Sequence, residues 1–215
     1  RFMFDGAAVA DALNTLAPTD TAHDIGWLQF ANGADQTLAA LNTAQQEAQR
    51  IVADYLQRPD ATQQLFTLFN GGQTTPSAQW QQAANDLLAQ VRDNTLSVRV
   101  EMRSSAELQG ALGAFAANGT DGQPVIYLNA DYVQTASSAA IEAVLVEEIG
   151  HALDNLLNPH DDSPGDEGHA FAALLLNKDA GVAAVPSDND HTVLNLDGQM
   201  VAVEQSGPYN IAQVH

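Results

Sequence analysis

The stretch that most constrains this chain is residues 143–154, which read A-V-L-V-E-E-I-G-H-A-L-D. At about 100° per residue, Glu147, Glu148, His151, Asp154 and Asn155 fall on one narrow arc of a helix. Leu145, Ile149, Ala152, Leu153 and Leu156 take the other side, and Ile141 and Val144 extend the apolar run toward the N-terminus. Glu147 and His151 are i,i+4 neighbours, so their heads can meet at one point, with Glu148 beside it. A plain amphipathic helix with a solvated polar face has the same period. Two features argue for more than that. Gly150 in mid-helix costs on the order of 1 kcal/mol relative to alanine, which implies close approach by another group. The apolar flanks imply a central helix. A carboxylate and an imidazole one turn apart, next to a second carboxylate, form a metal site with a general base.

Composition narrows the donors. The 215 residues include no cysteine, so disulfides, thiolate zinc sites and cysteine catalysis are excluded. Any ion must be held by His, Asp, Glu, backbone or water. The formal net charge is -20, with only seven basic residues. That argues against binding nucleic acid and against docking on anionic membranes. It suits a secreted, calcium-rich setting, and equally plain solubility. A hydrophobic content of 45% is enough for a core, and no apolar run reaches the length of a membrane span.

The periodicity predicts an α+β fold, mainly helical, with a small sheet packed on the 143–154 helix. Residues 34–57 read as a long helix ended by Arg58-Pro59-Asp60. A short helix runs through Leu65 and Phe69 to Gly71-Gly72, and Pro76 opens a third through Trp80 and Val91. The texture changes near Asp93, giving an N-terminal helical region over 1–93, a metal-site region over 94–206 that forms one compact unit with it, and a tail over 207–215. Residues 96–102 and 125–128 read as strands. Ser104 starts a helix expected to reach Ala117, and Ser137-Ser138 cap the 143–154 helix. After Leu157-Asn158-Pro159, the acidic loop 160–166 offers Ser163 as an N-cap with Pro164 behind it, for a helix over 166–177. Residues 191–196 and 199–204 flank Asp197-Gly198, a hairpin signal.

The E-E-I-G-H-A-L-D stretch resembles the active-site helix of zincin metallopeptidases, whose motif is H-E-x-x-H. The resemblance makes Glu148 the general base and His151 a zinc ligand. Glu147 stands where the first zinc histidine belongs. In the glutamate-zincin type, a later helix with an E-x-F-A pattern supplies the third ligand. Here that pattern reads H-A-F-A, with His169 in the ligand position. The implied set is Glu147, His151 and His169 on Zn2+, with Glu148 acting on a metal-activated water that attacks a peptide bond. The implied partner is a peptide or protein substrate, the parent chain included. Glu167 and His160 are the other candidates for the third ligand. Glu167 and His169 are roughly 200° apart on a regular helix and cannot both face one ion. Glu167 is explained as a first-turn acid, whereas a histidine entering an apolar helix needs a polar partner. That favours His169.

A wider likeness covers residues 125–205. L-V-E-E-I-G-H-A-L-D, D-S-P-G-D-E-G, the Phe-Ala helix and the L-D-G hairpin are similar to a domain of large exported bacterial repeat proteins. The opening R-F-M-F-D-G-A-A is similar to the start of giant bacterial surface proteins. Both imply a secreted or cell-surface location reached by type I secretion. Under that likeness the alternative to a peptidase is a non-catalytic zincin-like module of an adhesin, its metal site decayed or purely structural. A calcium-ordered export domain is a third reading, with Ca2+ on Asp161, Asp162, Asp166 and Glu167.

Overall fold

The computed structural model describes residues 28–32, 39–159, 163, 165–176 and 191–207. In chain order they form β1 (Leu28–Asn32), α1 (Ala39–Leu56), α2 (Ala61–Leu68), α3 (Ala78–Arg92), β2 (Val98–Arg103), β3 (Gly113–Ala116), β4 (Val125–Asn129), α4 (Ala130–Val133), α5 (Ser138–Leu157), α6 (Glu167–Leu175), β5 (His191–Leu196) and β6 (Gln199–Ser206). The fold is α+β and mainly helical, with one small sheet. The opening segment 1–8, His160, Asp161, Asp162, Pro164 and residues 208–215 lie outside the described residues. Among the described residues, no helix is long and apolar enough to cross a membrane.

α5 is the centre of the molecule. Ser137 caps it, its hydroxyl accepting from the Ala140 N–H. Every residue of 144–154 is buried, the polar arc included. Helices α1 and α6 pack along α5, and its opposite side meets β3, β4 and β6. One apolar core runs from Leu41, Val52 and Trp80 through Val100, Ile126 and Leu128 to Leu145, Ile149 and Phe171, so the helices of the N-terminal region and the metal-site region share it. Leu156, expected on the apolar side, is instead exposed, and Asp154 is buried. The periodicity located the helix but not which side the protein covers, because α5 is enclosed almost all round.

The sheet order is β1-β2-β4-β3-β6-β5. β1, β2 and β4 run parallel; β3 is antiparallel to both β4 and β6. Register decides what the hairpin presents. Phe115 lies opposite Glu204, and Gly113 opposite Ser206. Directly opposed residues share a face, and Phe115 belongs to the α5-side core. Glu204 and Ser206 thus point at α5. Val201 and Val203, of the other parity, join Leu194 and Leu196 in a second core on the far face with Leu108, Ala114 and Tyr127. Asp197 and Gly198 take φ values of 53° and 80°, as a two-residue hairpin turn requires.

One element differs from expectation. Residues 104–117 do not form a helix. The capping box does form, with the Ser104 N–H donating to Glu107 Oε2 at 2.9 Å and the Glu107 N–H donating to Ser104 Oγ at 3.3 Å. The turn then breaks at Gln109 and Gly110, both at positive φ, and Gly113–Ala116 becomes β3. The start signal was local and correct; the sheet position between β4 and β6 overrode it.

Gly150 has the close neighbour its position implied. A Cβ there would lie 2.8 Å from the Gly168 Cα and 3.1 Å from the Phe171 Cβ, so α5 and α6 touch backbone to backbone. Gly150→Ala is expected to destabilise by about 1–3 kcal/mol through overpacking, despite alanine's better helix propensity. Urea unfolding measures it; an unchanged or raised midpoint would mean that the helices can separate freely.

Candidate metal centre

Three elements converge on one imidazole. α5 brings Glu147 and His151, the start of α6 brings Asp166 and Glu167, and β6 brings Glu204. Asp166 is the N-cap of α6, accepting from the His169 N–H at 2.7 Å. The cap is therefore Asp166 rather than Ser163. Ser163 serves upstream instead: its hydroxyl donates to Asp154 Oδ1 at 2.6 Å and accepts from the Gly71 N–H at 2.9 Å. Asn158 Nδ2 also donates to Asp154 Oδ1, at 2.8 Å, and to the Phe69 carbonyl. Asp154 thus fixes the end of α5 to the segment that leads into Asp166 and Glu167.

His151 is only 1% exposed. Its Nδ1 lies 2.6 Å from Glu204 Oε2 and 3.2 Å from Glu167 Oε1. Its Nε2 lies 3.9 Å from Asp166 Oδ1. Two groups of ligand atoms result, each spanning no more than 4.8 Å: Glu147, His151 and Asp166, and His151, Glu167 and Glu204. A buried Glu/His/Asp group that could hold a metal ion is present. Gly168 sits over the ring. A Cβ there would come within 2.7 Å of Cε1 and 2.5 Å of Cδ2, so only glycine lets α6 close on His151.

The residues anticipated from sequence are distributed as follows. Glu147 and His151 are together in one group. His169 stands beside Glu147, Nδ1 to Oε2 at 3.9 Å, with its side chain 30% exposed, and belongs to neither group among the described residues. Asp166 takes the third place at that group, and Glu167 lies on the Nδ1 side. Of the four acids considered for calcium, Asp166 and Glu167 are in the centre.

Glu148 is wholly buried and faces the sheet. Its Oε1 accepts from the Ser206 N–H at 3.3 Å and from the Ser206 hydroxyl. Its Oε2 has no hydrogen-bond partner among the described residues. Burial, opposed by His151 and reinforced by Glu147, pushes its pKa up to about 8. Burial also raises Asp154 to about 7, against the hydrogen bonds from Ser163. Burial raises Glu167 too, opposed by His151. For His151, burial favours the neutral ring, but hydrogen bonds to Glu167 and Glu204 and the charge of the nearby acids hold its pKa well above the ordinary value.

No family model, curated protein or solved structure matches this chain. What the centre can do is thus a question for its own chemistry, and charge is the decisive part. Glu147, Glu148, Asp154, Asp166 and Glu167 are all buried. The five described arginines are committed to other acids. Arg50 pairs with Glu47 and Asp54, Arg58 with Asp60, Arg92 with Asp93, Arg99 with Glu101 and Asp121, and Arg103 with Glu101, Glu107 and Asp197. Among the described residues, two imidazoles face this many buried acids: His151, and the part-exposed His169 beside Glu147. Buried carboxylates must be paired, protonated or bound to a metal.

The sequence pattern does not single out Glu204 or Ser206, and offers Asp166 only as a candidate calcium ligand. Asp166 carried a usable signal, since an acid at the start of a helix has its carboxylate near backbone N–H groups of the turn that packs on α5. Glu204 carried none: only the strand register aims it at His151.

Proposed function

We propose that this chain is a metal-dependent structural module of zincin-like type, in which Glu147, His151 and Asp166 hold one zinc ion that clasps α5 to the start of α6. The observation that carries the reading is the buried excess of carboxylates around His151. The donors fit the ion. Two ligand atoms each about 2.0–2.2 Å from one zinc lie roughly 3.4 Å apart in a tetrahedron. Nε2 and Asp166 Oδ1, at 3.9 Å, are too far apart to hydrogen-bond and close enough to share an ion after a small adjustment. The Nδ1–H donates to a carboxylate, the usual support for a metal-ligating histidine. Imidazole in the set favours zinc over calcium, which prefers six to eight oxygens. When bound, the ion supplies the positive charge that the described arginines do not.

A zinc endopeptidase, acting on a peptide or on the parent chain, is the second reading. One feature favours it: burial pushes the Glu148 pKa up to about 8, near the pH at which a general acid or base exchanges a proton most effectively. Against it, Glu148 is wholly buried and bonded to Ser206. A substrate would have to displace β6 to reach it.

Elemental analysis of untagged protein tests the proposal. About one zinc per chain is expected, since three side chains and one further donor complete a tetrahedral ion. Asp166→Asn should weaken zinc retention strongly, and His169→Ala should leave it intact. Zinc absent after supplementation and gentle dialysis would overturn the reading. Retention lost in His169→Ala but kept in Asp166→Asn would restore His169 as the third ligand.

A further inference from the structure

β6 does more than extend the sheet. Its antiparallel register with β3 covers only Gly113, Ala114 and Phe115 against Ser206, Gln205 and Glu204. Within those three residues, two side chains reach across to α5. Glu204 Oε2 lies 2.6 Å from His151 Nδ1, and Ser206 holds Glu148 Oε1 through both its N–H and its hydroxyl. Gln205, between them, points to the other face. Close contact with α5 is built into the short stretch: a Cβ at Gly113 would meet Glu148 Oε1 at 2.5 Å and Val144 Cγ1 at 2.8 Å, so the β3–β6 ladder is drawn right up to the helix. The rest of the hairpin is held from the far face, by Leu194, Leu196, Val201 and Val203 in the outer core and by Arg103 Nη2 to Asp197 Oδ2 at 3.0 Å.

This gives the hairpin two independent attachments. One is apolar and peripheral. The other is polar and passes through His151, the residue shared by both ligand groups. A ring that binds an ion at Nε2 has its Nδ1–H polarised, which strengthens the bond to a carboxylate there. Conversely, a carboxylate at Nδ1 fixes the ring and raises its basicity as a ligand.

We infer that the β5–β6 hairpin is a latch for the metal centre, with Glu204 coupling hairpin docking to occupancy of the Glu147–His151–Asp166 group. The inference rests on the metal reading above and goes beyond it, since a clasp between α5 and α6 alone needs nothing from β6. Linkage makes the effect reciprocal: what the ion does for the hairpin, the docked hairpin does for the ion by the same factor.

Hydrogen–deuterium exchange on the full chain, with zinc and after chelation, tests this. Chelation is expected to speed exchange of the β3 and β6 amides by roughly 5- to 150-fold, the usual range for coupled sites, and to leave α3 unaffected. In Glu204→Gln the hairpin amides should no longer respond to chelation, and zinc affinity should fall by the same factor. Asp197→Asn loosens the hairpin from the far side without touching the centre. It too should lower zinc affinity, and it retains a side chain suited to positive φ. If Glu204→Gln fails to fold, Asp197→Asn carries the test alone. Zinc bound by the wild type with hairpin exchange unmoved by chelation would overturn the latch while sparing the metal reading. No zinc bound at all would overturn the metal reading first. An Asp197→Asn protein with a measurably freer hairpin and unchanged zinc affinity would also overturn the coupling.

Discussion

His151→Ala is expected to empty the centre and to destabilise the ion-free fold by about 3–5 kcal/mol, the usual result of removing one partner from a buried charged set. The His151 imidazole serves Glu167 and Glu204 at Nδ1 while facing Asp166 at Nε2. Alanine leaves the buried Asp166 and Glu167 and the part-exposed Glu204 without it, and leaves a ring-sized void under Gly168. The pH dependence distinguishes a charge effect from a packing effect. The folded pKa of His151 is raised above its ordinary value of 6.5. Its contribution is therefore fully present below about 6.5 and is lost as pH rises through the folded value. The deficit of His151→Ala, measured by urea unfolding of chelated protein, should be largest at mildly acidic pH and shrink on the alkaline side. A deficit constant across that range would assign the whole loss to the void. In zinc-loaded protein the deficit widens: the wild type gains stability by mass action with free zinc, and the variant does not.

The fold was legible where local rules and tertiary demands agree. The strand 125–128, the hairpin about Asp197-Gly198 and the Ser137 cap all stand as read, because turn chemistry, capping and alternation are properties of a few adjacent residues. The failures are of another kind. Ser104 and Glu107 made a true capping box, yet the chain turned into β3, since a strand was needed between β4 and β6. The centre was legible in half. Glu147 and His151 are one turn apart on one helix, so sequence spacing alone joins them. Asp166 and Glu167 come from a helix start whose placement depends on Asp154, Asn158 and Ser163. Glu204 lies more than fifty residues from His151 and depends on β-register, which a one-residue slip would reverse. Gly150 was the best sequence clue to the packing, because its conformational cost demanded a neighbour, and that neighbour is Gly168.

Glu148→Gln separates the two functional readings and carries the second large effect. Glu148 lies in neither ligand group, so zinc content should be kept. Under the structural reading, the residue is a buried acid that keeps its proton. Its unfolded value is 4.5 and its folded value about 8. Below 4.5 both states are protonated and nothing changes with pH. Between 4.5 and 8 the unfolded chain releases the proton that the folded chain retains, so stability falls as pH rises. At about 1.4 kcal/mol per pH unit, the fall over that window is a few kcal/mol in ion-free protein. Above 8 both states are ionised and the loss is complete. Glutamine cannot ionise and shows no such fall. At pH 5 the variant should be the less stable, by about 1–3 kcal/mol, because an amide N–H2 replaces the buried oxygen that has no hydrogen-bond partner among the described residues. At pH 9 it should be the more stable, so the two stability curves cross near neutrality. Parallel curves would show that Glu148 does not hold the proton. Proteolysis by the wild type that vanishes in Glu148→Gln with zinc retained would instead return the general-base role to Glu148, and would require β6 to move aside for each substrate.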